Sequence, residues 1–505
     1  MTSRTAIHGR APALAAIVGV MTVTMAWAVR PFATPSVGPD AAAPVIHFQH
    51  LVRLAAIEGE LTQTAKPLLT VLYGPLEAVA GWTGVAWATI LAAALAVALA
   101  ALLAQRLAGP VAAGFVTLAF VFSPILLREV ALAYAVPWTA CALLGAGLVA
   151  TGARPRWAVV GVLLAGAALA RPEALAVTGV ACGGLLAASA LARVRGRAGP
   201  PRRASLVCLG FAAIPVFVVH DSIVMADPLF WLGTARENSE VSGTVRDLPG
   251  MVEYVTLHVL GFLPLLPAAA VAAAVLVGRA QWAALIGLAG ATLGIAAFFV
   301  VVGAGGTSIP TRYFGLMDMA LVFAAGIGIG AVDVPALRRR LRPRERWNVA
   351  TVVLAAGLSG SLVAAAIAPN WLVDRDHLRN AREQVRLHVN QATAMTAIRA
   401  AVEGPPDGAP AIVLILVPPR LRVQSVVDLE WPLTAVDRVW PVLVEAPSMQ
   451  VEPGTIVYHD RLDDAADPAW RSIEIDQPRV VGDLRLVPLL ADPGRGMWVV
   501  RVDPA

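Results

Sequence analysis

The chain has 505 residues, 58% of them hydrophobic and 14% charged, with a mean hydropathy of +0.71. That balance excludes an ordinary soluble protein and implies a polytopic α-helical membrane protein set in a lipid bilayer. The net charge of +5 and a pI near 9.5 come from arginines spread over short segments between apolar runs, where they orient helices in a bilayer rather than build a nucleic-acid surface.

The chain opens with "MTSRTAIHGR" and the apolar run "APALAAIVGVMTVTMAWAV", which lacks a clean small-residue cleavage site and reads as a retained first helix. Runs of roughly 20 apolar residues span a bilayer, and the sequence holds about 11 transmembrane helices, near 11–29, 84–105, 109–126, 130–151, 157–170, 174–192, 204–220, 251–277, 281–303, 313–334 and 347–368. With the N-terminus cytoplasmic, the inner segments carry Arg4, Arg10, Arg106, Arg154, Arg156, the run Arg193 to Arg203, Arg279 and the run Arg338 to Arg346. Both dense clusters, "ARVRGRAGPPRR" and "RRRLRPRER", then fall inside, as the positive-inside bias demands, and an odd helix count puts the C-terminus outside. Cys141, Cys182 and Cys208 lie within apolar runs and imply neither a disulfide framework nor a thiolate metal site.

Helices one and two are joined by an outer loop, residues 30–83, with Asp40 early and Lys66 late. Lys66 is the only lysine in the chain, every other such cation being arginine. Within the loop, "PVIHFQHLVRLAAIEGEL" places Val45, Ile46, Phe48, Leu51, Val52, Leu54 and Ala55 at mixed three-and-four spacing, the pattern of an amphipathic helix lying on the membrane surface. Further on, "LARPEAL" separates helices five and six, because Arg171 and Glu173 are expensive at the membrane centre and cheap at an outer hairpin. Beyond Pro369 the composition turns polar: a charged amphipathic segment, a break at "GPPDGAP", then the strand-like runs "AIVLILV", "LRVQSVV", "TIVYH", "RVVGDLRLVPL" and "MWVVRV". Residues 1–368 therefore read as the transmembrane domain and 369–505 as a small extracytoplasmic α/β or α+β domain.

On this topology the mixed ionisable groups gather at the outer helix ends. Arg128 and Glu129 join helices three and four, Arg171 and Glu173 join five and six, His220 and Asp221 end helix seven, Glu253 and His258 begin helix eight, and Arg312 and Asp318 begin helix ten. Ordinary helix-end residues snorkel and pair at the interface, but a one-sided cluster opposite a long polar loop reads as a site opening outward. In such a site a carboxylate removes a proton from an acceptor hydroxyl while cations hold a phosphate leaving group. Asp40 is the candidate base; Lys66, Arg128 and Arg312 are the candidate phosphate contacts; Glu129, Arg171, Glu173, His220 and Asp221 are secondary candidates. His47 and His50, three apart on one helix, have a spacing that permits metal ligation, with no acidic partner at matching spacing, so no metal site is assigned.

The long outer loop with an early acid and a late "KP", the hairpin "SPILLRE", then "LARPEAL" and "TRYFGLMDMAL" resemble the GT-C glycosyltransferases that use polyprenyl-phosphate-linked sugars. The resemblance covers the architecture of roughly residues 10–335. It implies an inverting transfer of a sugar from a polyprenyl-phosphate-linked donor to a cell-envelope glycan, lipid or protein at the outer face of the plasma membrane, and it admits a divalent cation as cofactor. The family's loop carries a catalytic Asp or Glu, often as "DE", followed 25 to 30 residues later by "KPP"; here Asp40 and Lys66 are 26 apart, Ala41 replaces the second acid and "KPL" replaces "KPP". Glu58, Glu60 and Asp221 therefore stay open as alternative bases, and Arg312 matches a recurrent outer-end arginine of the family. A transporter or flippase of envelope precursors and a non-catalytic envelope scaffold are the other readings; against transport, no inverted repeat and few mid-membrane charges are evident.

Overall fold

Proline and glycine punctuate the apolar sequence, and the helices of the computed structural model begin and end at them. The structure describes residues 10–30, 39–57, 66–195, 200–230, 247–331 apart from 264, 308 and 310, 375–404, and 409–505 apart from 418–421, 432, 439–451, 461–478, 482 and 493. The chain opens with α1 (Arg10–Val29), α2 (Pro39–Arg53) and α3 (Pro67–Ala108). Pro110, Pro124 and Pro137 stand in the first turns of α4 (Pro110–Val121), α5 (Pro124–Ala131) and α6 (Val136–Ala150), where a missing N–H leaves no bond unmade. Next come α7 (Trp157–Ala170), a 3-10 turn at Pro172–Ala174, and α8 (Leu175–Val194). A 3-10 stretch, Arg202–Ala212, runs into α9 (Ala213–Val224). Then follow α10 (Leu248–Leu260), α11 (Leu266–Gly278), α12 (Trp282–Ala289), a π turn at Gly290–Gly294, α13 (Ile295–Ala304), a 3-10 turn at Thr311–Phe314 and α14 (Gly315–Ala331).

Among the described residues, Pro67–Ala108, Pro172–Val194, Arg202–Val224 and Trp282–Ala304 are long and apolar enough to cross a membrane, and α4 with α5, bent by 49°, makes a fifth such stretch. The 42 residues of α3, at about 1.5 Å rise each, extend roughly 60 Å, about twice the hydrocarbon thickness. The helix is therefore longer than one span needs, and Gly81, in the left-handed region at φ 59°, kinks it. The outer loop expected over 30–83 is thus helical from Pro67 onward.

Ten of the eleven expected apolar segments are helical, and the eleventh, 347–368, together with the expected boundary at 368/369, lies outside the described residues. Three of the ten are broken, the first being 109–126, which bends by 49° between α4 and α5. The segment expected over 130–151 takes the end of α5, a non-helical break at Leu132–Ala135, and α6; Pro137 forbids a continuous hydrogen-bond ladder there. The segment expected over 251–277 divides into α10 and α11, with Pro267 in the first turn of α11. Arg171 is extended (φ −148°, ψ 117°) between α7 and the following turn, so the two helices remain separate as the charge of "LARPEAL" required.

The helices pack through small residues, because lipid supplies no hydrophobic drive and close backbone approach must. A Cβ on Gly328 of α14 would collide with the Ala268 carbonyl of α11, and one on Gly330 would meet Ala112 of α4. The main apolar core runs through α3, α4, α6 and α14, with Ala93, Ala94, Val116, Phe314 and Ile327 buried in it.

The remaining described chain, 375–505, has α15 (Arg375–Glu403), β1 (Leu414–Val417), α16 (Arg422–Leu429), β2 (Val436–Arg438), β3 (Thr455–Asp460), β4 (Arg479–Val481), β5 (Leu484–Asp492) and β6 (Met497–Pro504). They form one mixed sheet in the order β2-β1-β3-β6-β5-β4. The pairs β2–β1 and β1–β3 are parallel, and the rest are antiparallel. The expected strand at "LRVQSVV" is instead α16: Val423, Val426 and Val427 recur at helical three-and-four spacing, not at the alternation a strand needs.

One face of the sheet joins an apolar cluster that continues through α2 and the start of α3: Ile415, Ile456 and Val499 share it with Ala394 of α15, Val426 of α16, Ile46 of α2 and Leu69 of α3. The amphipathic helix in the first loop is therefore covered by protein, with Ala41–Ile46 and His47 buried, and does not lie open on a membrane surface. Phe48 fits because Gly74 has no side chain; a Cβ there would overlap the Phe48 ring. Just after the Gly81 kink, Trp82 Nε1 donates to Asp428 Oδ1 at 2.9 Å, tying α3 to α16. Burial raises the Asp428 carboxyl above the usual carboxylate range, and the Trp82 hydrogen bond and the Arg399 charge oppose it.

Candidate active site

Lys66 precedes Pro67 at the N-terminus of α3, where no side chain caps the first N–H groups and the dipole favours an anion. One turn on, Thr70 Oγ1 donates to the Lys66 carbonyl (3.3 Å) and lies 3.4 Å from His220 Nε2. On α9, His220 Nδ1 is 2.9 Å from Asp221 Oδ1, and both residues are buried. With Nδ1–H donating to the carboxylate, Nε2 is the ring's acceptor, and it competes with the Lys66 carbonyl for the single Thr70 hydroxyl proton. The His47 ring of α2 lies 5.2 Å from the His220 ring at 43°. His47 is fully buried, and neither of its ring nitrogens has a hydrogen-bond partner among the described residues. Burial first, then the charges of His220, Lys66 and His50, hold the His47 ring well below its ordinary 6.5, so it stays neutral at pH 7. Asp40 is in the first turn of α2, two helical turns before His47 and on the same side of that helix.

A second cluster joins the ends of α5, α7 and α8. Arg128 Nη1 is 2.9 Å from Glu129 Oε1, Arg171 Nη1 is 3.8 Å from Glu129 Oε2, and Arg171 Nε also meets Glu173 Oε1. All four side chains are at most 10% exposed. Two guanidiniums and two carboxylates balance, which is what burial of charge requires. The guanidiniums also lie over aromatic faces, Arg128 at 5.4 Å from the Tyr134 centroid and Arg171 at 5.4 Å from Tyr313. Ala133, a non-glycine residue at φ 56°, turns the chain between α5 and α6, and its carbonyl accepts from Tyr73 Oη at 2.9 Å. Tyr73, three residues after Thr70, also receives Trp138 Nε1 at 2.9 Å, so the two clusters meet along α3.

A third pair stands beside them. His258 Nε2 of α10 is 2.8 Å from Asp318 Oδ1 of α14, and the His258 ring stacks on Phe314 at 4.2 Å. Phe314 follows Tyr313, which lies under Arg171, in the Thr311–Phe314 turn that also contains Arg312.

No protein-family model and no curated protein matches the sequence. Solved structures do match it in fold. ArnT from Cupriavidus metallidurans, solved bound to undecaprenyl phosphate, superposes with a TM-score of 0.53 at 16% identity, over 97% of this chain and 98% of that one. The oligosaccharyltransferase AglB from Archaeoglobus fulgidus, solved with an inhibitory peptide and a dolichol-phosphate, superposes with a TM-score of 0.53 at 11% identity, over 91% of this chain and 72% of that one. The chain has the GT-C fold.

On this GT-C fold, Lys66, His220 and Asp221 come together, joined by His47 and Thr70, which sequence reasoning left out of the site. Arg128, Glu129, Arg171 and Glu173 form a separate, internally neutral network. The charge of Arg128, expected as a phosphate contact, is matched locally by Glu129. The side chains of Asp40 and Arg312, and all of Glu58 and Glu60, lie outside the described residues. His47 and His50 part company: His47 is buried, while the half-buried His50 places Nδ1 3.2 Å from the Ala56 carbonyl. Among the described residues no three His, Cys, Asp or Glu side chains gather as a metal site. The missed residues left signals, His47 two turns after Asp40 and Thr70 one turn after Lys66.

Proposed function

We propose that the chain is an integral-membrane glycosyltransferase that moves a sugar from a polyprenyl-phosphate-linked donor to a cell-envelope acceptor, a glycan, lipid or protein, at the outer face of the plasma membrane. The observation that carries this reading is the meeting of Lys66, at the N-terminus of α3, with the His47, Thr70 and His220–Asp221 group on a GT-C fold. ArnT and AglB, solved with undecaprenyl phosphate and dolichol-phosphate, support the donor class.

In the proposed reaction the carrier phosphate docks against Lys66 and the α3 N-terminus. Asp40 takes the proton of the acceptor hydroxyl, whose oxygen attacks the anomeric carbon from the face opposite the phosphate. The bond to the carrier breaks with its electron pair on the phosphate oxygen, the configuration inverts, and Lys66 counters the departing charge. A lone lysine suits this task as a point charge able to follow a moving phosphate. Asp221, clamped by His220, holds the ring facing Thr70 and so positions the first turn of α3. Arg128, Glu129, Arg171 and Glu173 fix the relative places of α5, α7 and α8. Arg312 adds a phosphate or lipid-head contact. The unit from α15 to β6, packed on α2 and α3 beside Lys66, lies outside the membrane and receives the acceptor.

The test is a proteoliposome assay with radiolabelled polyprenyl-phosphate sugar and an envelope extract. Label should pass to an envelope product, and folded Lys66→Ala and Asp40→Asn proteins should lose the transfer. Full activity in both variants would overturn the site, and substrate flux without donor consumption would favour a transporter instead.

A further inference from the structure

At the helix ends remote from Lys66 a cavity of about 840 Å³ opens between α6, α7, α8, α12 and α14, toward the upper end of the roughly 300–1,000 Å³ usual for small-molecule sites. It starts among Ala153, Trp157, Ala192, Pro201 and Gln281 and reaches inward to Val177 and Leu316. Its lining holds no ionisable side chain; apart from two tryptophans, only Thr151 and Gln281 carry polar groups, and both sit at the mouth. Water gains too few partners in such a space, so an apolar chain is its natural content.

The rim is as one-sided as the lining. Arg154, Arg156, Arg193, Arg202 and Arg203 are all exposed, and each is the immediate sequence neighbour of a lining residue: Ala153, Trp157, Ala192, Pro201 and Ala204. None of the five has a carboxylate partner among the described residues. The sequence could not supply one nearby, because residues 130–172, 174–220 and 254–317 contain no Asp or Glu. Arginines needed only to orient helices require no cavity between them. Here basic groups surround the mouth of an apolar slot, with Trp157 and Trp282 at interfacial positions, the combination that holds an anionic lipid headgroup between transmembrane helices.

We infer that this cavity is a binding site for an anionic phospholipid of the inner leaflet, with its acyl chains in the apolar slot and its phosphate among Arg154, Arg156, Arg202 and Arg203. The lining decides against the tail of a carrier whose phosphate sits at the opposite end. The Lys66 group and the Arg128–Glu173 network contribute nothing to the slot, so its polar end is the arginine-bearing end. The site is independent of the glycosyltransferase reading, since a transporter or scaffold with these helices would bind the same lipid.

Native mass spectrometry of the full chain, with phosphatidylglycerol or phosphatidylcholine of matched chains added, tests this. Wild type should retain phosphatidylglycerol at least tenfold better. Arg156→Gln/Arg202→Gln/Arg203→Gln, all surface changes, should abolish that preference. Gly287→Leu, at a lining position where a Cβ meets nothing within 4 Å, should lower retention of both lipids. Equal retention of the two lipids by wild type, or a preference unchanged in the triple arginine variant, would overturn the site, as would a co-purified polyprenyl phosphate that Gly287→Leu displaces. If Gly287→Leu fails to fold, the arginine variant decides alone.

Discussion

Replacing Glu129 by Gln removes the carboxylate shared by Arg128 and Arg171 while keeping its shape. Glu129 is 2% exposed and lies 2.9 Å from Arg128 and 3.8 Å from Arg171. At an effective dielectric near 20 those separations correspond to roughly 6 and 4 kcal/mol of gross attraction. Most of that offsets desolvation, and the net loss on stranding a buried charge is about 3–5 kcal/mol. Set against a total stability of about 5–15 kcal/mol, the change is large, so Glu129→Gln should unfold at markedly lower denaturant in mild detergent, read by tryptophan fluorescence. Glu129→Gln/Arg171→Gln should recover part of the loss, because the stranded charge leaves with its partner. A Glu129→Gln protein within about 0.5 kcal/mol of wild type would refute the view that these four charges form one balanced network.

Acid should act through His47. Its folded pKa lies below the ordinary 6.5, so as pH falls below about 6.5 the unfolded chain takes up a proton that the folded chain refuses. Stability should fall by up to about 1.4 kcal/mol per pH unit from this group until its own lower pKa is reached. Unfolding curves from pH 7 to 5 should show that slope, and His47→Phe should flatten it. Trp82→Phe removes the hydrogen bond to the half-buried Asp428 carboxylate and should loosen 375–505 from α3, read as faster limited proteolysis near residue 404, at a loss of about 1.5–3 kcal/mol. Gly328→Val drives a side chain into the Ala268 carbonyl and should lower expression and thermal stability more than Gly114→Val, where a Cβ meets nothing within 4 Å.

What could be read beforehand follows from how local each signal is. Helix positions and a common end for Lys66, Arg128, Arg171, His220 and Asp318 came from apolar run length and arginine placement, both properties of short stretches. The separation of α7 from α8 came from the charge of Arg171 and Glu173. What escaped depends on contacts remote in sequence. The burial of α2 needs residues of the distant sheet and α16 to cover it, and Val45 and Ile46 face protein or lipid with equal apolarity. The neutrality of the Arg128–Glu129–Arg171–Glu173 network appears only when "LLRE" and "LARPEA" meet in space. The helix at α16 is different, since Val423, Val426 and Val427 already carried the three-and-four spacing.

The central claim is that a carrier phosphate sits against Lys66, and binding of a polyprenyl monophosphate to the purified chain in nanodiscs tests it most directly. Lys66→Ala should weaken that binding at least tenfold, about 1.4 kcal/mol. Lys66→Arg should retain much of the affinity, and Arg202→Gln/Arg203→Gln at the opposite helix ends should leave it unchanged. Equal affinity of Lys66→Ala and wild type would contradict the account.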